Sequence, residues 1–444
     1  MNTPERISQL AGRSRHPITS LLALRVWQAG AGLVTTLLAA HAMTPELQGW
    51  YYSLLSVASL YTLFDLGLST VLVQLAAHSF IGLRWTSGNR LEGETQAHFK
   101  SLLGKSVRWY AIATVAFLVL LLPGGWVFFS EKASAGMSWK SCWFALCTLT
   151  AGGLIALPFL ALVEGSGEIA QVYRVRLTTS ILGSLACWAA LVTGSGLWAV
   201  TMMPAMALCV PLVWLACCHR PLVAIARENP DKTYRWRQEV WPLQWRLAIN
   251  WLCGYSITQI NIPILFNMQG AIVAGQFGLS LTVVNTIGLV AQSWLLRRVP
   301  GMANAAATRD WRRLDRLFLR DFSITLSVCA AGVMTLLGLV WLMADQPIVH
   351  RLLPWPELLG LAIFACTSQF IGGLALQLRS FRREPLVWLT LIATLVTVPA
   401  ALYATRHYSS AGLIAVLAGV NVTLNLPASI GIWYRCNRIW RATE

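Results

Sequence analysis

WYAIATVAFLVLLLPGGWVFFS, residues 109–130, runs without a charge from Arg108 to Glu131. About 20 apolar residues of helix cross the ~30 Å hydrocarbon core of a bilayer, so this stretch reads as one crossing. A barrel strand would alternate apolar and polar positions; here the apolar character is continuous, which selects a helix. Residues 141–163, 322–344, 358–378 and 385–405 are uncharged stretches of the same kind, one crossing each. Residues 177–219 and 247–296 are uncharged over twice that length. Each holds a turn signal, Gly194-Ser195-Gly196 and Asn267-Met268-Gln269-Gly270, and reads as two crossings. Residues 26–83 carry only Glu46, in the Thr44-Pro45-Glu46 turn, and Asp65, and form another pair; 407–434 supplies the last crossing. The expectation is an all-α polytopic membrane protein with twelve transmembrane helices.

Composition points the same way. Of 444 residues 56% are hydrophobic and only 12% are charged, with a mean hydropathy of +0.59, whereas a soluble domain is roughly a quarter charged. So few charges cannot cover a water-exposed surface, which excludes a soluble enzyme, a DNA-binding module and a disordered chain. The net charge of +16 therefore needs another explanation. With a cytoplasmic N-terminus, the inner segments 1–20, 84–108, 174–176, 220–246, 297–320, 379–383 and 435–444 hold nearly all the Lys and Arg. The outer turns hold Lys132, Lys140, Arg351 and Arg406, and Arg25 lies inside the first crossing. This is the positive-inside bias, and it is the ground for expecting both termini in the cytoplasm. The basic faces suit anionic membrane lipids, and nucleic acid is an unnecessary partner.

Residues 1–20 resemble the start of a signal peptide, but no cleavage site is evident and Arg25 interrupts the apolar run, so a retained helix is expected. Trp27, Trp50, Trp126, Trp139, Trp198, Trp294, Trp341, Trp355 and Trp433 fall near segment ends, as interfacial anchors do. The ten Cys form no C-x-x-C pair on the outer side, and Cys217-Cys218-His219 lacks a second ligand cluster. Neither a disulfide framework nor a metal centre is expected.

Loop spacing repeats along the chain. A close pair, a long basic loop at 84–108, two single crossings and a pair recur from residue 247 with the basic loop at 297–320. Gly49-Trp50-Tyr51 aligns with Gly275-Gln276-Phe277 at constant offset, as do Leu55 and Val57 with Leu281 and Val283. Parallel repeats of this kind place a substrate path between halves. The expected organisation is an N-terminal lobe over 1–219, a cytoplasmic linker over 220–246 and a C-terminal lobe over 247–444.

Motifs for nucleotide chemistry fail. Gly104-Lys105-Ser106 lacks the leading glycine of a P-loop, and Gly165-Ser166-Gly167-Glu168-Ile169-Ala170 follows a membrane helix rather than a strand. No cofactor is implied. A membrane glycan polymerase or ligase would need acids or metal-binding carboxylates on an outer loop, where Asp345, His350, Arg351 and Glu357 are the only cluster; a conduit is favoured over a catalyst.

Polar groups inside the crossings carry the remaining information. Arg25, Gln28, Gly32 and Thr36 share one face of the first helix, and Thr62, Asp65 and Ser69 one face of the second. Asn250, Gly254, Thr258 and Asn261 continue the pattern on the seventh, with Gln259 beside them and Pro263 able to kink it; Asn285 and Gln292 lie seven apart on the eighth. Interhelical hydrogen bonding would explain any one Asn or Gln, whereas an ionisable residue within the membrane is a functional candidate.

The opening of the first two helices, Arg25, Gly32, Leu37-Leu38, Thr44-Pro45-Glu46, Gly49-Trp50-Tyr51 and Phe64-Asp65-Leu66-Gly67-Leu68, resembles that of Wzx-type oligosaccharide flippases of the multidrug/oligosaccharidyl-lipid/polysaccharide exporter superfamily. Ala274-Gly275-Gln276-Phe277-Gly278-Leu279-Ser280 is similar to a later part of the same family. The resemblance implies two six-helix lobes around a central cavity and alternating access. It further implies a lipid-linked oligosaccharide substrate on undecaprenyl pyrophosphate, for O-antigen or capsule assembly, and work alongside a glycan polymerase or glycosyltransferases. Lipid II flippases have two further helices, and drug exporters of the superfamily share the twelve-helix plan. Arg25 suits a pyrophosphate, Asp65 a cationic drug, and Asn250, Gln259 and Asn261 suit sugars. Counted from Met43 and Gly49 at about 1.5 Å per residue, Arg25 and Asp65 lie ~27 and ~24 Å deep, so an ion pair between them is expected in the empty protein.

Overall fold

The computed structural model describes residues 15–80, 83–85, 91–93, 96–132, 138–227, 236–381 and 383–443. They form helices α1 (Arg15–Ala42), α2 (Pro45–Ala58), α3 (Tyr61–Asp65), α4 (Leu68–Ser79), α5 (Gln96–Ser130), α6 (Trp139–Gly165), α7 (Ile169–Val192) and α8 (Ala199–Cys218). After them come the short α9 (Arg220–Arg227) and α10 (Trp236–Glu239), then α11 (Trp241–Thr258), α12 (Asn261–Gln269), α13 (Ala271–Leu296) and α14 (Val299–Ala307). The chain closes with α15 (Trp311–Leu342), α16 (Trp355–Arg379), α17 (Val387–Val420) and α18 (Leu426–Thr443). A two-residue ladder, Arg84–Trp85 with Leu91–Glu92, is the one sheet among the described residues.

Twelve crossings result, although ten stretches satisfy length and apolarity as continuous helices. One such stretch, Val387–Arg441, is long enough for two. It breaks at Ser409, whose φ of 57° and ψ of −146° end one helix and start the next without a loop. The turn expected at Arg406 is thus a single-residue break. The twelfth crossing is α11–α12, too polar to satisfy the apolarity criterion. Pro263 explains its break. A proline has no N–H, so Gln259 O loses its usual helical donor; it accepts from Ser56 Oγ at 2.5 Å instead, and the helix parts at Gln259–Ile260.

The chain divides into two compact units, Met1–Gln28 with Val57–Leu252, and Ala29–Ser56 with Cys253–Glu444. These bounds differ from lobes drawn at 1–219 and 247–444, because Ala29–Ser56 belongs with the second unit.

In the first unit, bulky aromatics seat on glycines. A carbon added at Gly125 would collide with the Trp143 ring, whose Nε1 donates to Leu122 O at 3.1 Å. Phe129 and Trp139 close the same cluster. Gly165 brings the end of α6 against the Val73 carbonyl of α4.

In the second unit, α2 lies backbone to backbone on α13. A side chain at Gly49 would strike the Ala271 carbonyl, and one at Gly275 would come within 2.8 Å of Gly49 N. Gly278 faces Tyr52 in the same way. The repeat offset pairs Gly49 with Gly275 and Tyr52 with Gly278, so positions equivalent in the repeat touch one another, as contacts on a two-fold axis do. Gln48, 1% exposed, fastens the joint by donating to Gly275 O at 3.0 Å and to Arg351 O at 3.4 Å. At the opposite helix ends Leu295, Met302, Leu314, Phe318, Phe322, Leu378 and Trp440 form a second core. Beside it the fully buried Asp321 binds Arg297 and Arg298, each at 2.9 Å, and fixes the bend between α13 and α14.

Candidate functional site

Asp65 ends α3. Leu66 (φ 50°) and Gly67 (φ 69°) are both left-handed, and α4 starts at Leu68. The second crossing is therefore broken in its middle, leaving the first N–H groups of α4 without helical acceptors. Asp65 supplies one: its carboxylate accepts from Ser69 N at 3.3 Å and Ser69 Oγ at 2.9 Å, and from the Tyr110 hydroxyl of α5. The side chain is 8% exposed. Asp65 is a helix cap tied to a neighbouring helix, and the signature Phe64-Asp65-Leu66-Gly67-Leu68 is the sequence of that break.

Arg25 does not pair with Asp65. No ion pair joins them among the described residues, and the expectation of one is corrected here. Counted from Gly49, the path to Asp65 crosses the interruption at Ser59–Leu60 between α2 and α3, so a depth counted along one straight helix does not locate the carboxylate, which Ser69 and Tyr110 already hold. Arg25 lies instead within electrostatic reach of Tyr173, beside Glu164 and Arg176. Glu164 is already held by Arg176 at 2.8 Å. Trp27 Nε1 donates to Ser184 Oγ at 3.2 Å and fastens α1 to α7 two residues along. The Arg25 guanidinium is half-buried, its Nε is buried without an acceptor, and it makes no hydrogen bond to a described residue. An uncommitted guanidinium in an apolar helix can take an anion in bidentate geometry.

The other candidates are dispersed. Gln28 is exposed on α1 in the first unit, and Asn250, also in that unit, is half-buried on α11 and engaged. Gln259 and Asn261 belong to the second unit. Gln259 is half-buried at the helix break, while Asn261 is 2% exposed and donates to Ile257 O of its own chain segment at 2.7 Å.

The second unit holds a polar centre that sequence reasoning missed. The last crossing passes through one π-helical turn, Asn421–Asn425. Asn421, 5% exposed, donates to Phe364 O at 3.2 Å and to Thr367 Oγ1 and Ser368 Oγ at 2.9 Å on α16, and accepts from Asn425 Nδ2 at 3.1 Å. The signal was present as Asn421 and Asn425 at one-turn spacing, opposite Thr367-Ser368-Gln369, but only the fold brings those segments together.

No protein-family model and no curated protein matches the chain. Solved structures do match along almost all of it. An inward-facing multidrug resistance MATE family transporter of the MOP superfamily is 15% identical, covering 96% of this chain and 95% of that one, with a TM-score of 0.60. The lipid II flippase MurJ in an inward closed conformation is 10% identical over 93% of this chain and 87% of that one, with a TM-score of 0.62. The MATE multidrug transporter DinF-BH in complex with R6G is 14% identical over 96% of each chain, with a TM-score of 0.61. At such identities the likeness is one of architecture, and it shows that this multi-pass chain shares the fold of those transporters.

Proposed function

We propose that the protein is a flippase that moves an undecaprenyl-pyrophosphate-linked oligosaccharide across a bacterial inner membrane by alternating access, for O-antigen or capsule assembly. Its halves, 1–219 and 247–444 joined by 220–246, act as the two lobes, with both termini cytoplasmic. The uncommitted Arg25 guanidinium carries this reading. A pyrophosphate is multiply anionic and needs a cation at reduced dielectric, where a paired guanidinium would have to be released first. Arg25 needs no such release. Drug export is the second reading, since Asp65 is the acidic group deep in the second crossing. The occupied state of Asp65 argues against it, because a cationic drug would have to displace Ser69 and Tyr110 from the carboxylate. Transport is driven by an ion gradient or by the lipid cycle, without nucleotide.

The test is transport in a strain deleted for this gene and complemented with variants, read as lipid-linked oligosaccharide retained on the cytoplasmic leaflet. Arg25→Lys keeps the charge and loses the fork, and should cut export roughly tenfold, the equivalent of ~1.4 kcal/mol; Arg25→Ala should cut it further, both at normal membrane abundance. Export at the wild-type rate by Arg25→Ala would make Arg25 an anchor for headgroups and remove this reading's support.

A further inference from the structure

Two glutamines in the second unit lie across from two glycines. A carbon added at Gly288 of α13 would collide with the Gln369 amide of α16, and one added at Gly372 of α16 would lie 3.8 Å from Gln292 Nε2 of α13. Each glutamine thus rests over the glycine of the facing helix. Gln292 and Gln369 are half-buried, and neither makes a hydrogen bond to a described residue. Neither has an amide atom sealed away without a partner, so the unspent donors and acceptors remain reachable. Asn285, two turns before Gln292, is exposed and equally uncommitted. Beside Gln369, Ser368 Oγ accepts from Asn421 and keeps its own proton to donate, while Asn425 has spent one donor on Asn421.

The chemistry of this seam is uniform. α13 has no charged residue, and α16 has only Glu357 and Arg379 in its first and last turns. An ion has no counter-charge here. An amide presents a donor and an acceptor side by side, and vicinal hydroxyls of a sugar present the same pair in return. Polar amides left unpaired against lipid are unfavourable, so the seam belongs against water or a polar ligand. We infer that Asn285, Gln292 and Gln369, with Ser368 and Asn425, form a binding site for the neutral sugar hydroxyls of the transported glycan. The assignment rests on the flippase reading and separates the sugar site from the pyrophosphate site at Arg25.

Native mass spectrometry of the full-length protein tests it with two probes, bare undecaprenyl pyrophosphate and the same lipid bearing one N-acetylhexosamine. Wild type should bind the glycosylated lipid roughly tenfold more tightly, as a few neutral hydrogen bonds allow. Gln292→Leu with Gln369→Leu should bind both lipids alike, at the affinity of the bare one. Arg25→Ala should weaken both equally and keep the preference. If the double variant keeps the full preference, the seam is not the sugar site while the flippase reading stands. If wild type binds neither lipid, the flippase reading fails and this site fails with it. Asn285→Leu, at an exposed position that packing does not constrain, decides the matter should the double variant not fold: it should lower the preference about threefold, and an unchanged preference overturns the proposal.

Discussion

Asp65 and Arg25 are the two ionisable side chains deepest in the first two crossings, and their fates differ because of what lies next to each in the chain. Asp65 precedes two left-handed residues, Leu66 and Gly67, so the helix that starts after them leaves N–H groups that the Asp65 carboxylate can take. Arg25 lies in an unbroken helix with no orphan carbonyl to bind. Residue type alone singled both out, as ionisable groups within crossings. That the two do not pair was not legible, because depth counted at a fixed rise assumes a straight helix. Asp65→Asn keeps the shape and loses charge-assisted bonds, and should lower the stability of the purified protein by about 1–2 kcal/mol. Tyr110→Phe should cost a similar amount, and the double variant less than the sum, since both remove one contact. Thermal unfolding in detergent measures this, and additive costs would show that Tyr110 and Asp65 act separately.

At the scale of elements, charge-free gaps located the crossings, since a charge at the bilayer centre is costly. They could not locate breaks within a crossing. The single-residue break at Ser409 has no glycine or proline at the hinge itself, and the π-helical turn at Asn421–Asn425 depends on hydroxyls contributed by α16. Pro263 is the exception, because its missing N–H predicts which carbonyl is freed. The Gln259 carbonyl binds Ser56, and Ser56 O in turn accepts from the Tyr255 hydroxyl at 3.1 Å. Pro263→Ala restores a helical donor to Gln259 O, so Ser56→Ala should cost less in that background than in wild type. A coupling of at least ~0.5 kcal/mol in the double-mutant cycle is expected; zero coupling would mean that the bond contributes nothing.

Across the whole molecule, alternation of basic and poorly basic connections sets the proposed orientation. An alkaline-phosphatase reporter fused within 228–235 should be inactive and one fused at Gln346 active; activity at the first site would invert the topology. Twelve crossings were legible, since each is a stretch of membrane length almost free of charge. The placement of Ala29–Ser56 was not, because it depends on a contact between residues 227 positions apart, from Gln48 to Gly275. That contact has a consequence during synthesis. At ~5–20 residues per second, translation takes ~11–45 s to run from Gln48 to Gly275. For that interval the bare glycine surface of α2 has entered the bilayer with its eventual mate still unmade. The nascent chain must therefore keep α2 from adhering to other helices, and a larger side chain at Gly49 would be felt as delayed or failed assembly and faster proteolytic clearance before any defect in transport could be measured.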